Sequence, residues 1–259
     1  MKGIASVRFS SYKESVPFVL DKLDVGKVLC KQSKIILKPN LTCNKQPPVT
    51  TPVSFVKEVL NYCLDYSKGK ILIAEGSGGS NTGDCYRDLG YLDLAKKYSI
   101  KLIDLNEEEV VVKKSSSFKK FRYIYFPKVL DDSFLISLPV LKEHGEAKVT
   151  ISLKNMLGCF PKEEYKGEKY EGSWKAKMHQ WLIDYSIHDI LVCKFPDLAI
   201  VDASTGQIGG EVWGTPKKFG LILAGDPLGV DKEGAEILGK NWRKIKHISW
   251  ANELKGNYQ

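Results

Sequence analysis

The sequence predicts an α/β fold, a mostly parallel sheet with helices on both faces, built as a single domain over residues 1–259. Three observations predict it. Short, β-branched apolar runs recur along the chain, and stretches with helical spacing alternate with many of them. No repeat, low-complexity tract or Pro/Gly/Ser-rich linker divides the sequence. Strands that are apolar throughout, without polar alternation, are those a sheet needs when both faces are covered.

Taken in order, strands are expected at about 33–38, 70–74, 101–104, 121–126, 134–138, 198–202 and 219–223, and the N-terminal Ile4 region is also strand-like. Thr51-Pro52 provides an N-cap and first-turn pair for a helix running to about Tyr66. A second helix is expected from about Asp84 to Tyr98. A third begins near Lys175 and carries Leu182, Ile183, Ile187, Ile190 and Leu191 on one stripe; a fourth covers about Leu228–Leu238. Residues 107–126 break the pattern with three glutamates, a valine run and Lys-Ser-Ser-Ser before an aromatic strand, and read as a small hairpin insertion.

Composition sets bounds on function. Hydrophobic residues make up 43% and charged residues 27%, which is ordinary for a globular protein. The longest apolar runs reach six or seven residues, far short of a membrane span, and a cytoplasmic location is expected. Cysteines at 30, 43, 63, 85, 159 and 193 form no C-x-x-C, so no iron–sulfur cluster or zinc ribbon is encoded. They read as small buried hydrophobes, with Cys43 and Cys85 kept open because they flank motif loops. The formal net charge of +8 favours an anionic ligand. Its lysines are dispersed, without a basic block interleaved with aromatics, so nucleic acid is the weaker candidate partner.

In open α/β sheets ligands bind beyond the carboxyl ends of the strands, and polar motifs gather there. Lys38-Pro39-Asn40 closes the second strand, either as a plain proline stop or as a cation and an amide aimed into a site. Thr51 opens a helix whose N–H groups could hold an anion. Glu75 ends a strand and leads into a loop with Gly76, Gly78 and Gly79; the glycines either bring backbone amides close to an anion or simply make a turn. Glu75 is then a base, a ligand or an acceptor for that loop.

Lys142 and His144 follow Pro139 and are expected in a strand-end loop, and Lys154 with Asn155 interrupts an apolar stretch of helical spacing, although 149–153 also reads as a strand. His179 is expected in the first turn of the third helix, where the dipole favours a neutral imidazole suited to a general base or metal ligand. Asp202, at the tip of an apolar strand before a second glycine loop, is the stronger carboxylate candidate over Asp226 and Asp231. His188 and His247 read as structural.

With these residues in view, the chain resembles the family known as domain of unknown function 362. The features that carry the resemblance are Lys38-Pro39-Asn40, Thr50-Thr51-Pro52, Glu75-Gly76, Leu138-Pro139 with Lys142 and His144, Thr150 to Gly158, His179 and the loop from Asp202 to Gly210. Members are often joined to ferredoxin modules and described as iron–sulfur proteins on that account; this chain lacks the cysteine clusters, so that description does not carry over. It is also distantly similar to the lactate racemase family, in which a histidine, a lysine ten residues on and a further histidine serve a nickel-pincer nucleotide. His144, Lys154 and His179 repeat that order, with Thr150-Ile151-Ser152-Leu153 in place of the glycine-rich approach.

These readings lead to an enzyme acting on a small anionic metabolite by proton or hydride transfer. His144 and His179 would move protons and Lys154 would hold the anion or a cofactor, which could be nucleotide-like or a metal. The alternatives are an accessory protein docking to a separate iron–sulfur partner, and a nucleic-acid-binding protein.

Overall fold

A computed structural model describes residues 3–167 and 173–256. Eleven strands are present among them: β1 (Ile4–Arg8), β2 (Lys34–Pro39), β3 (Lys70–Glu75), β4 (Lys101–Asp104), β5 (Val110–Lys113), β6 (Ile124–Pro127), β7 (Phe134–Leu138), β8 (Val140–His144), β9 (Lys148–Thr150), β10 (Leu198–Ile208) and β11 (Thr215–Gly225). Nine form one sheet whose main path runs β1-β11-β10-β7-β2-β3-β4, with β8 pairing β10 and β9 pairing β8. The β10-β7-β2-β3-β4 stretch is parallel, while β11 and β1 join antiparallel. The fold class read from the sequence is therefore the one observed, and the insertion expected near 107–126 is a separate two-stranded sheet of β5 and β6.

Alternation along each strand explains the continuous apolar runs. Ile35, Leu37, Ile71, Ile73, Ile136 and Leu138 enter one core with the helices Tyr12–Asp21 and Val53–Tyr66. Ile36, Leu72, Ala74, Leu135, Ala199 and Val201 enter the other, beneath the helices Ile183–Cys193, Pro227–Ile237 and Lys246–Gly256. Successive strand residues point to opposite faces, so a strand covered on both sides must be apolar at every position.

The local expectations depart from the structure in four places. The helix expected over 84–98 is two helices, Thr82–Asp88 and Tyr91–Tyr98, because Gly90 adopts φ +80° between them. The third helix starts only at Ile183; Ala176–His179 is a separate 3₁₀ turn, so His179 is not in the first turn of a long helix and its dipole argument lapses.

His144 does not lie in a loop. Pro139 withholds one amide from the ladder, but the chain resumes at Val140 as β8, paired with the outer half of β10. Residues 148–159 combine both readings: β9, then the turn Ser152–Asn155 and a 3₁₀ turn Met156–Cys159.

This topology places the site. Connections leave β2 toward β3 on one side, while β7 lies on its other side, so the chain reverses direction across the sheet at β2. A crevice opens at the carboxyl ends of strands at such a reversal. The extensions β8, β9 and outer β10 rise beyond that edge and wall it.

Candidate functional site

A cleft of about 560 Å³ opens at this edge, a size suited to a small ligand. Nine of the thirteen residues singled out from the sequence line it: His144, Lys154, His179, Asn40, Glu75, Gly76, Gly78, Gly79 and Asn155. Lys38, Lys142, Thr51 and Asp202 do not.

Behind the cleft surface runs a continuous polar network. Lys38, fully buried, donates from Nζ to Glu75 Oε1 at 2.8 Å and to Asn155 Oδ1 at 3.2 Å. Glu75 also accepts from the amides of Gly76 and Leu41, so of its three sequence readings it takes that of acceptor for the loop. Asn155 donates to Lys38 O and Ser137 Oγ and accepts from Asn40 Nδ2. Asn40 Oδ1 in turn accepts from Lys142 Nζ at 2.7 Å. Each buried polar group is thereby satisfied by the next, which fixes their rotamers.

The network ends on a residue the sequence reading missed. Glu211 stands in the turn 209–214 between β10 and β11, and its side chain is 10% exposed. Oε1 lies 3.2 Å from Lys142 Nζ, and Oε2 lies 2.9 Å from Lys154 Nζ and 3.3 Å from His144 Nε2. Although burial works the other way, Lys154, Lys142 and His144 together hold the Glu211 carboxyl well below the usual range.

Strand alternation puts Lys142 and His144 on one face of β8. Lys154 comes from the turn Ser152–Asn155, whose first amides donate to the fully buried Asp231. Asp231 is thus the anchor of that turn, and its burial pushes its carboxyl well above the usual value. Asp226 is an N-cap, accepting from Gly229 N, and it also pairs with Lys255.

The two histidines are held differently. His144 Nδ1 receives the Ala147 amide at 3.1 Å, and an amide can only donate. The proton of the neutral ring therefore sits on Nε2 and points to Glu211. Burial, with Lys154 nearby, lowers the His144 pKa, so this neutral donor form prevails. His179 Nδ1 lies 3.3 Å from Glu146 Oε2, while Glu146 Oε1 accepts from Ile183 N. A carboxylate fixed in this way favours the Nδ1–H tautomer of a neutral ring.

Lys175 is the second missed residue. It is buried at the cleft wall, donating to Gly76 O at 2.7 Å and Gly158 O at 3.2 Å, and burial lowers its pKa to about 8.

Other expected binding features have ordinary occupants. The glycine-loop amides are capped from within: Gly76 N by Glu75, Ser77 N by Thr82 Oγ1 and Gly79 N by Thr42 O. Thr51 is fully buried, its hydroxyl donating to Leu138 O and accepting Asn40 N; the helix it precedes starts at Val53. Neither expected amide cradle is offered to an anion by these groups. Asp202 accepts from Tyr12 OH at 2.7 Å and from Ser204 N, away from the cleft lining. Cys43 lines the cleft and Cys85 lies behind it, but burial raises both thiols, Cys85 to about 12. His188 pairs with Asp189 and His247 with Asp184, both buried.

Among the described residues no group of three or more His, Cys, Asp or Glu is placed to hold a metal ion. Lys154 and His144, the positions that a pincer-type cofactor would need, both serve Glu211 in this arrangement. The residues do not fit such a group as they stand. No described helix is long and apolar enough to cross a membrane.

Among proteins with curated descriptions, the chain is similar to the thylakoid-associated protein sll1697 of Synechocystis sp., with 24% identity over 234 residues, covering 86% of this chain and 70% of that protein. The sequence profile of one family matches residues 35–236, the span that holds β2, the cleft and the Glu211 turn. By that match the chain belongs to the family described as Domain of unknown function (DUF362).

Proposed function

We propose that the protein is a cytoplasmic enzyme that seats a small anionic metabolite in this cleft and moves a proton to or from it. The carrying observation is the balance of buried charge beside a histidine–carboxylate pair. Lys38, Lys142, Lys154 and Lys175 are buried around the cleft, against the carboxylates of Glu75 and Glu211 in the same network. Uncompensated buried positive charge is costly, and an anionic ligand relieves it.

The roles follow from the hydrogen bonds. His179, its Nδ1 engaged by Glu146, is the base or acid at Nε2. Lys154, with Lys142 behind it, faces the anion. His144 serves as an Nε2–H donor, since the Ala147 amide occupies its other nitrogen. This assigns proton transfer to one histidine, not two, and needs no hydride carrier.

The test is incubation with a pooled extract of small metabolites in D₂O, read by mass spectrometry. An anion that gains deuterium at carbon with the wild type, and at least a hundredfold more slowly with His179→Gln, supports the reading. No deuterium gain in any anion, or an equal gain with the variant, refutes it.

A second reading, an accessory protein docking to a separate iron–sulfur partner, draws on the name of the Synechocystis relative, which says only that it is thylakoid-associated. Tight complex formation without turnover would favour it.

A further inference from the structure

We infer that the ligand is a carboxylate, and that Glu211 occupies its seat in the unliganded protein as a tethered stand-in. This deepens the proposed function, on which its link to catalysis rests. The geometry is that of carboxylate recognition. One oxygen takes Lys142 Nζ, and the other is shared by Lys154 Nζ and His144 Nε2–H. A flat, two-oxygen acceptor matches these three donors.

Two of the three donors, Lys142 and His144, and the backbone that carries the third are held by partners other than Glu211. Lys142 is fixed by Asn40 Oδ1 and by Val49 O, each at 2.7 Å. His144 is fixed by the Ala147 amide, and the turn bearing Lys154 by Asp231. The seat is built from β8 and the 152–155 turn, whereas its occupant arrives from another element.

That element is suited to leave. No residue of 208–215 is buried, and Trp213 near its tip is 86% exposed. Gly209 and Gly210 take φ of +79° and +152°, which puts glycine at the foot of the turn. Apart from the ion pairs of Glu211, its attachments are few: Gly209 N to Glu143 Oε2, Gln207 Nε2 to Glu211 O, and Lys45 Nζ over the Trp213 ring. A ligand carboxylate entering the seat replaces the ion pairs one for one. Glu211 then moves to solvent with the turn, and cleft occupancy is coupled to turn release. A tethered competitor acts at an effective concentration on the order of millimolar, so the wild type should bind simple carboxylates weakly.

The experiment uses acetate as the probe, acetamide as its neutral counterpart and sulfate as a tetrahedral anion, on the full chain. Glu211→Ala is expected to bind acetate at least tenfold more tightly than the wild type and to gain thermal stability with acetate, not acetamide. Adding Lys154→Met should abolish the gain. In the wild type, saturating acetate should speed amide hydrogen exchange across 209–214. If Glu211→Ala does not fold, that exchange measurement decides alone. Unchanged acetate affinity in a folded Glu211→Ala, unaltered exchange in the wild type, or preference for sulfate over acetate overturns the inference. Acetate capture without any deuterium transfer would leave the seat standing and remove proton transfer. Deuterium transfer without acetate capture would do the reverse.

Discussion

Replacing Lys38 by methionine tests whether the network behind the cleft holds the end of the sheet together. Methionine keeps most of the side-chain volume, so the change is mainly one of charge and hydrogen bonding. It removes the 2.8 Å ion pair to Glu75 and the bond to Asn155 Oδ1, in a place with no exposure to water. Breaking one partner of a buried pair typically costs about 3–5 kcal/mol, because the other charge is left uncompensated. Here Glu75 keeps the amides of Gly76 and Leu41, which argues for the lower end, about 3 kcal/mol. At about 2–4 °C per kcal/mol for a domain near this size, the melting temperature should fall by about 6–12 °C. Glu75→Gln on its own should also destabilise, by stranding Lys38. The double variant should recover much of the sum, with a coupling of about 2 kcal/mol, since a neutral pair leaves no buried charge. Thermal and urea melts of the four proteins measure this. A fall below about 2 °C for Lys38→Met, or strict additivity in the double variant, would refute the reasoning.

Three further outcomes follow from neighbouring groups. Gly158→Ala drives a methyl into the Glu75 carboxylate and the Lys38 ammonium, and should cost about 1–3 kcal/mol by melting, an effect smaller in the Lys38→Met background. Lys175 has a folded pKa lowered from 10.5 to about 8, so the unfolded chain binds more protons between these values and stability should rise with pH across that window, by about 3 kcal/mol from this group. Lys175→Met should remove that rise in pH-resolved melts. The half-buried His144 and the buried His247 have lowered pKa values, so their contribution is present above the unfolded value near about 6.5 and is lost as pH falls below it. His247→Gln should flatten the loss of stability between about pH 6.5 and 5, and an unchanged slope would count against the assignment.

The sheet was legible because its signal is local and redundant. Ile35–Leu37 in β2 and Ile71–Ala74 in β3 are apolar on both faces, so each strand reports the two cores independently. The helix over 84–98 was drawn too long because its apolar spacing hardly changes across the break. Only the φ of Gly90, a property of the backbone, divides it. β8 was missed for the opposite reason. Pro139 is a local stop, and what restarts the strand is a partner sixty residues away in sequence, the Asp202–Gln207 stretch of β10.

The site divides along the same line. Lys38, Asn40, Glu75, Lys154 and Asn155 were found because strand ends and polar interruptions of apolar runs are visible in one segment at a time. Glu211 was not, since no segment states that Lys142, His144 and Lys154 converge on one carboxylate. The turn Gly209-Gly210-Glu211-Val212-Trp213-Gly214 did carry a signal: one acid between glycines, beside an aromatic, joining two strands.

A turn needs glycine for its backbone, but it needs neither a glutamate nor a tryptophan at its tip. Such residues there are explained by what the turn touches, and here the acid touches three donors, of which Lys142 and His144 are also held by other partners. Glu211 is therefore the point at which stability and function make opposite demands. As a counter-ion it relieves Lys142 and Lys154, and as an occupant it covers three donors that suit a ligand of the same chemistry. On the inference above, a ligand that brings its own carboxylate would meet both demands.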